Sequence, residues 1–137
     1  LLSVVHFFRA FFAGLPSPDP EKYSADKNNK LHRLKILSVS LQEVKNNFSK
    51  YDLLDEQVIF LEGWFKDTLP TAPIEKLALL RLDGDMYEST IQALTFLYPK
   101  LSKGGYIIVD DYNAFDYCKK AVTDFRNKNG INEQIID

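Results

Sequence analysis

Two apolar runs, "KLALLRLD" at 76–83 and "YIIVDD" at 106–111, each end on carboxylates, and one helical pattern separates them. No other feature limits the fold as strongly. From Tyr87 the apolar residues Ile91, Leu94, Leu97 and Leu101 recur at helical spacing. Glu88 sits in the first turn, where the helix dipole favours an acid. Gly104-Gly105 is expected to end that helical unit. Strand, helix and a second continuously apolar strand predict an α/β fold with a mainly parallel sheet and helices on both faces.

The remaining elements fit that plan. Residues 3–12 read as a strand, and "GLPSPDPEKYSADKNNK" at 14–30 reads as loop. Residues 31–39 are ambiguous between strand and helix. Ser40 and Glu43 have capping-box spacing, and Leu41, Val44 and Phe48 share one helical face, so a helix is expected to about Lys50. "VIFLEG" at 58–63 is expected to be a strand, and Cys118, Ala121, Val122 and Phe125 predict a helix closed by Gly130. No linker or repeat divides the chain, so residues 1–137 are expected to be a single domain.

A chain of 137 residues with 45% hydrophobic content can bury a core. A net charge of −2 argues against nucleic acid as a partner. Cys118, the one cysteine, cannot form an internal disulfide, which suits a reducing cytosol and a cytoplasmic location. The opening "LLSVVHFFRAFF" is interrupted by His6 and Arg9 and is too short to cross a bilayer, so no membrane role is expected. It begins on Leu1 and reads as a buried strand from inside a longer protein, so the chain is expected to be a fragment.

The carboxylates carry the chemistry. In open parallel sheets, ligands bind outside the carboxyl ends of the strands. If the two strands are neighbours, a spacing of about 5 Å brings Asp83 and Asp110 within reach of one ion. Oxygen-only ligands suit Mg²⁺, Ca²⁺ or Mn²⁺ rather than zinc. The plainer reading is a turn or helix cap, which a lone Asp83 or Asp111 would more often serve. Two clusters on consecutive strands bring the two readings to about even weight. His32 reads as a base, a substrate contact or, more simply, a surface residue. Trp64 reads as a stacking platform or a packing residue, and Tyr87 and Tyr112 as pocket walls or as cover for the sheet end.

The stretch "GWFKDTLPTAPIEKLALLRLDGDMYESTIQALTFLYPKLSKGGYIIVDDY" closely resembles the macrocin and mycinamicin type of sugar O-methyltransferases, a family that includes the novobiocin-pathway enzyme. "GLPSPDPEKYSADK", "SLQEVKNNFSKY" and "CKKAVTDFR" are also similar to that family. The resemblance runs from Gly14 to about Gly130 and implies a Rossmann-like class I methyltransferase fold. It further implies S-adenosylmethionine and a divalent cation, usually Mg²⁺, as cofactors. By position, Asp83 matches a metal ligand and general base, and Asp110 and Asp111 match the other two ligands. Asp85 belongs to the motif without a metal role. Gly63 and Trp64 match cofactor contacts. The segment at 16–32 is similar to a lid over the acceptor, with Tyr23 and His32 as substrate contacts. The acceptor implied is a small-molecule glycoside or saccharide, and the assembly a dimer or larger homo-oligomer.

The sequence also departs from the family. No glycine-rich cofactor loop precedes residue 14, and Ala10-Phe11-Phe12 replaces an acidic "DSF". Catechol-type relatives carry a lysine where Met86 stands. The first βα unit and the closing strands are expected to be missing, which leaves a truncated domain with a weakened or absent cofactor site. Two rival readings are a metal-dependent glycosyltransferase using Asp83 and Asp85, and an inactive methyltransferase-like domain. A dehalogenase-like phosphatase fits less well, because Tyr87 stands where it needs threonine or valine.

Overall fold

The computed structural model describes residues 14–136; the expected strand at 3–12 and the departure at Ala10-Phe11-Phe12 lie outside the described residues. The loop at 14–30 is irregular as expected and contains one 3-10 turn, Ser24–Asp26. The ambiguous stretch at 31–39 holds two more such turns, Leu31–Arg33 and Lys35–Leu37. Helix α1, Leu41–Lys50, starts on the expected capping box. There the Glu43 amide donates to Ser40 Oγ at 3.2 Å, and the Ser40 amide donates to Glu43 Oε2 at 2.9 Å. These reciprocal bonds satisfy two donors that a helix start otherwise leaves open.

Residues 58–63 do not form the expected strand. An isolated apolar run gains nothing from strand geometry without a neighbour to take its backbone hydrogen bonds, and among the described residues only two strands pair. After the short helix α2, Phe65–Thr68, comes the expected strand β1, Leu77–Leu82. Helix α3, Tyr87–Leu97, follows as predicted, and its last turn tightens into the 3-10 turn Tyr98–Lys100 at Pro99. Strand β2, Leu101–Val109, then pairs with β1 in parallel, and helix α4, Asp116–Asn129, ends at Gly130 in the left-handed conformation.

Gly104-Gly105 does not end the helical unit; both glycines lie inside β2. The register jumps from Leu77 opposite Leu101 to Leu79 opposite Tyr106, so β2 carries extra residues around the glycines. Gly104 has a φ of +81°, and a Cβ on Gly105 would lie 2.8 Å from the Ala78 carbonyl oxygen. Only glycine allows this bulge and this close approach.

Leu80 and Leu82 of β1, together with Leu94 and Leu97 of α3 and Val122 and Phe125 of α4, meet in one core. Among the described residues the helices cover one face of the sheet. On the other face Leu79, Tyr106 and Ile108 are exposed. Over the paired residues 79–82 and 106–109 the strands therefore alternate in burial, where their composition reads as continuously buried. No helix among the described residues is long and apolar enough to cross a membrane.

Candidate metal centre and adjoining pocket

The parallel pairing of β1 and β2 brings the two acidic strand ends side by side. One carboxylate oxygen each from Asp83, Asp85 and Asp111 lies within 4.8 Å of the others. Asp83 is exposed and Asp85 is buried. The Asp85 amide donates to Asp111 Oδ2 at 3.1 Å, which ties the turn after β1 to the end of β2. Asp85 has a φ of 51°, a left-handed conformation that aspartate tolerates better than most residues. Gly84 lets the turn lie close over α3, since a Cβ there would approach the Ser89 Cβ to 3.2 Å.

Asp110 stands outside this group. Its carboxylate pairs with the Arg81 guanidinium, Nε lying 3.3 Å from Oδ1 and the second nitrogen also donating to Oδ2. Strand alternation explains the separation. The Asp110 amide still bonds the Leu82 carbonyl at 2.9 Å, so Asp110 continues the ladder on the same face as Ile108 and Arg81. Asp111, one residue on, turns to the opposite side.

The predicted cofactor contacts separate as well. Trp64 lines a pocket with Leu15, Pro16, Gly84, Glu88, Ser89 and Gln92, directly beside the acidic turn. Gly63 is not among the lining residues. Its φ of +136° and the 2.9 Å from a built Cβ to Thr68 Cγ2 give it a backbone role. Tyr23 packs on Tyr87, with ring centroids 6.1 Å apart, and accepts a long hydrogen bond from Gln92 at 3.5 Å. His32 joins neither the acidic group nor this pocket, and its Nδ1 is buried without a hydrogen-bond partner among the described residues.

Sequence reasoning missed Glu88 and Gln92 as pocket residues. Both are buried, and Gln92 Nε2 donates to Glu88 Oε1 at 2.9 Å. Burial pushes the Glu88 carboxyl up, the Gln92 bond partly offsets this, and the neighbouring Asp26 charge pushes it further. A carboxyl raised on folding favours the fold below its ordinary range and loses that contribution as pH rises through its folded value. Glu88→Gln keeps the acceptor for Gln92 and removes the charge. It is expected to raise the melting temperature at pH 7.5. At pH 4 the gain shrinks; thermal unfolding at the two pH values checks this.

Two other groups are unsuited to proton transfer near neutral pH. Burial, then the bond from its hydroxyl to Asp124 at 2.9 Å, pushes Tyr87 up to about 12. Burial likewise pushes the Cys118 thiol up to about 11.

The family profile described as Macrocin-O-methyltransferase (TylF) matches residues 5–137. Demethyldecarbamoylnovobiocin O-methyltransferase of Streptomyces niveus is 56% identical over 126 residues, covering 91% of this chain and 48% of that protein. The mycinamicin III 3''-O-methyltransferase of Micromonospora griseorubida is 46% identical over 129 residues, covering 92% of this chain and 50% of that protein. The solved structure of the O-methyltransferase NovP superposes with a TM-score of 0.90 at 54% identity, over 96% of this chain and 55% of that one. The chain thus spans about half the length of the curated relatives it matches.

Proposed function

The chain belongs to the macrocin O-methyltransferase family, and on that premise we propose that its protein transfers a methyl group from S-adenosylmethionine to a sugar hydroxyl with the help of a divalent cation. The observation that carries this reading is the convergence of Asp83 and Asp111 at adjacent ends of two parallel strands. The donor set fits a hard cation such as Mg²⁺, since the group offers carboxylate oxygens alone.

When bound, the cation supplies the positive charge that lowers the hydroxyl's pKa, and S-adenosylmethionine supplies the electrophilic methyl. Asp83 and Asp111 would hold the cation, and Asp110, which faces Arg81, would have to turn from that pair to serve as the third ligand. Asp110 is available because its pair with Arg81 is exposed, the side chains being 35% and 58% accessible. Such a pair contributes about 0–1 kcal/mol, less than a carboxylate gains on a divalent ion. Asp85 is left to shape the turn through its left-handed backbone and its amide bond to Asp111. The exposed Asp83 carboxylate takes the hydroxyl proton, a role that falls to it because Met86 brings no amine to the site. Trp64 offers the flat apolar wall of the cofactor pocket. The acceptor belongs to the glycosides or saccharides.

Calorimetry with S-adenosylmethionine, with and without Mg²⁺, tests the reading, and Trp64, the chain's one tryptophan, reports pocket filling by fluorescence. Folded protein that gives neither heat nor quenching would leave this chain an inactive methyltransferase-like domain. The ligand set has its own test. Asp110→Asn is expected to weaken Mn²⁺ binding at least tenfold, and Asp85→Asn to weaken it less, because asparagine keeps the backbone amide that bonds Asp111. The reverse order would assign the ion to Asp83 and Asp85, as in the glycosyltransferase reading.

A further inference from the structure

Helix α3 begins directly after the acidic turn, and its N-cap residue is Met86, which provides no side-chain cap. The first amide groups of a helix have no partner within it and must find one elsewhere. Here the partner comes from far away in sequence. Asp26 Oδ1 accepts from the Tyr87 amide at 2.9 Å, and Asp26 Oδ2 accepts from the Glu88 amide at 2.8 Å. Asp26 is completely buried, at 0% exposure.

The segment that carries Asp26 is itself braced. The Tyr23 amide donates to the Asp19 carbonyl at 2.7 Å and the Asn29 amide to the Asp26 carbonyl at 2.8 Å, so two turns enclose the aspartate. On its other side Tyr87 is held through its hydroxyl by Asp124, whose carboxylate also takes Lys120 at 2.8 Å.

We infer that Asp26 is a positioning residue for the acidic turn: its buried carboxylate caps α3 across 61 residues of sequence and so holds the turn that bears Asp83 and Asp85 against β2. The coupling is mechanical. Residues Asp83–Met86 join the end of β1 to the first residue of α3 with nothing between, so the position of that first turn sets where the Asp83 carboxylate lies. An aspartate at the N-cap itself could serve the helix, but the fold uses that position to bury Met86, at 0% exposure. Asp26 supplies the charge-assisted bonds and the dipole complement that Met86 cannot. The segment at 16–32, similar to a lid in sequence, is thereby fastened at its centre to the helix that follows the site.

This inference rests on the cation reading above. Its test is Mn²⁺ binding to the wild-type protein, Asp26→Asn and Asp26→Ala, followed by electron paramagnetic resonance well below the unfolding temperature. Circular dichroism and the amide nitrogen shifts of Tyr87 and Glu88 are recorded on the same samples. Asp26→Ala is expected to weaken Mn²⁺ binding about tenfold and to shift both amides. Asp26→Asn keeps one acceptor oxygen and is expected to recover part of that affinity and one of the two shifts. If the alanine variant does not fold, the asparagine variant alone decides by its intermediate affinity. Folded variants that bind Mn²⁺ as the wild type does would overturn the positioning role. A wild type that binds no Mn²⁺ would overturn the cation reading instead, and reduce Asp26 to a helix cap.

Discussion

Asp83→Asn is expected to abolish detectable Mn²⁺ binding and to lower methyl transfer by roughly 10²–10⁴-fold, the usual range for a positioned general base. Two losses coincide at this residue. An amide oxygen is a weaker ligand than a carboxylate for a hard cation, and asparagine cannot take the hydroxyl proton. The same change should hardly touch stability, because Asp83 is exposed and surface substitutions usually stay within about 0.5 kcal/mol. Asp111→Asn should match it in Mn²⁺ binding. It should also disturb the turn, because Asp111 Oδ2 accepts the Asp85 amide. Titration with Mn²⁺, transfer from labelled S-adenosylmethionine and urea unfolding of both variants separate these effects. An Asp83→Asn protein with wild-type Mn²⁺ affinity and turnover would remove Asp83 from both roles.

Leu80→Ala is expected to destabilise the chain by about 2–5 kcal/mol, the range for emptying a buried leucine site. Leu80 sits at the centre of β1 with 0% exposure and belongs to the core that joins the sheet to α3 and α4. Truncation leaves a cavity between a sheet and two helices, and closing it would move the strand that leads into Asp83. Domains of this size are usually stable by about 5–15 kcal/mol, so this loss is a large share of the total. Leu79, the next residue, is 51% exposed, and Leu79→Ala should cost under about 1 kcal/mol. A shift of the urea midpoint at constant slope would measure each loss. Equal losses at the two positions would contradict the one-sided burial of the sheet.

The contrast between Leu79 and Leu80 shows what composition alone leaves out. In "LALLRL" every position but one is apolar, so the run reads as buried on both faces, and only the packing of α3 and α4 onto one side separates Leu80 from Leu79. The glycine pair misleads for a related reason. Gly104-Gly105 is a common stop signal, but here it forms a bulge inside β2, where the close Ala78 carbonyl requires glycine. Residues 58–63 have strand composition, yet a strand requires a hydrogen-bonding neighbour, which no local pattern guarantees. Signals acting within one turn were legible: Ser40 with Glu43, the phase of α3, and Gly130 after α4. Trp64 lines the pocket beside the acidic turn, whereas its neighbour Gly63 does not.

The element order around the two acidic motifs, the parallel pairing of their strands and the family itself can be read from the residues, because hydrophobic spacing, capping and motif order are local properties of the chain. The identity of the carboxylates that meet cannot be read that way. Alternation along β2 turns Asp110 toward Arg81 and Asp111 toward Asp83 and Asp85, although the pair is adjacent in sequence. The cap of α3 comes from Asp26, and its only trace in the sequence is a methionine where a capping residue is usual. Such contacts form between groups tens of residues apart, and their partners exist only once backbone hydrogen bonds and core packing have brought the strands and the loop together.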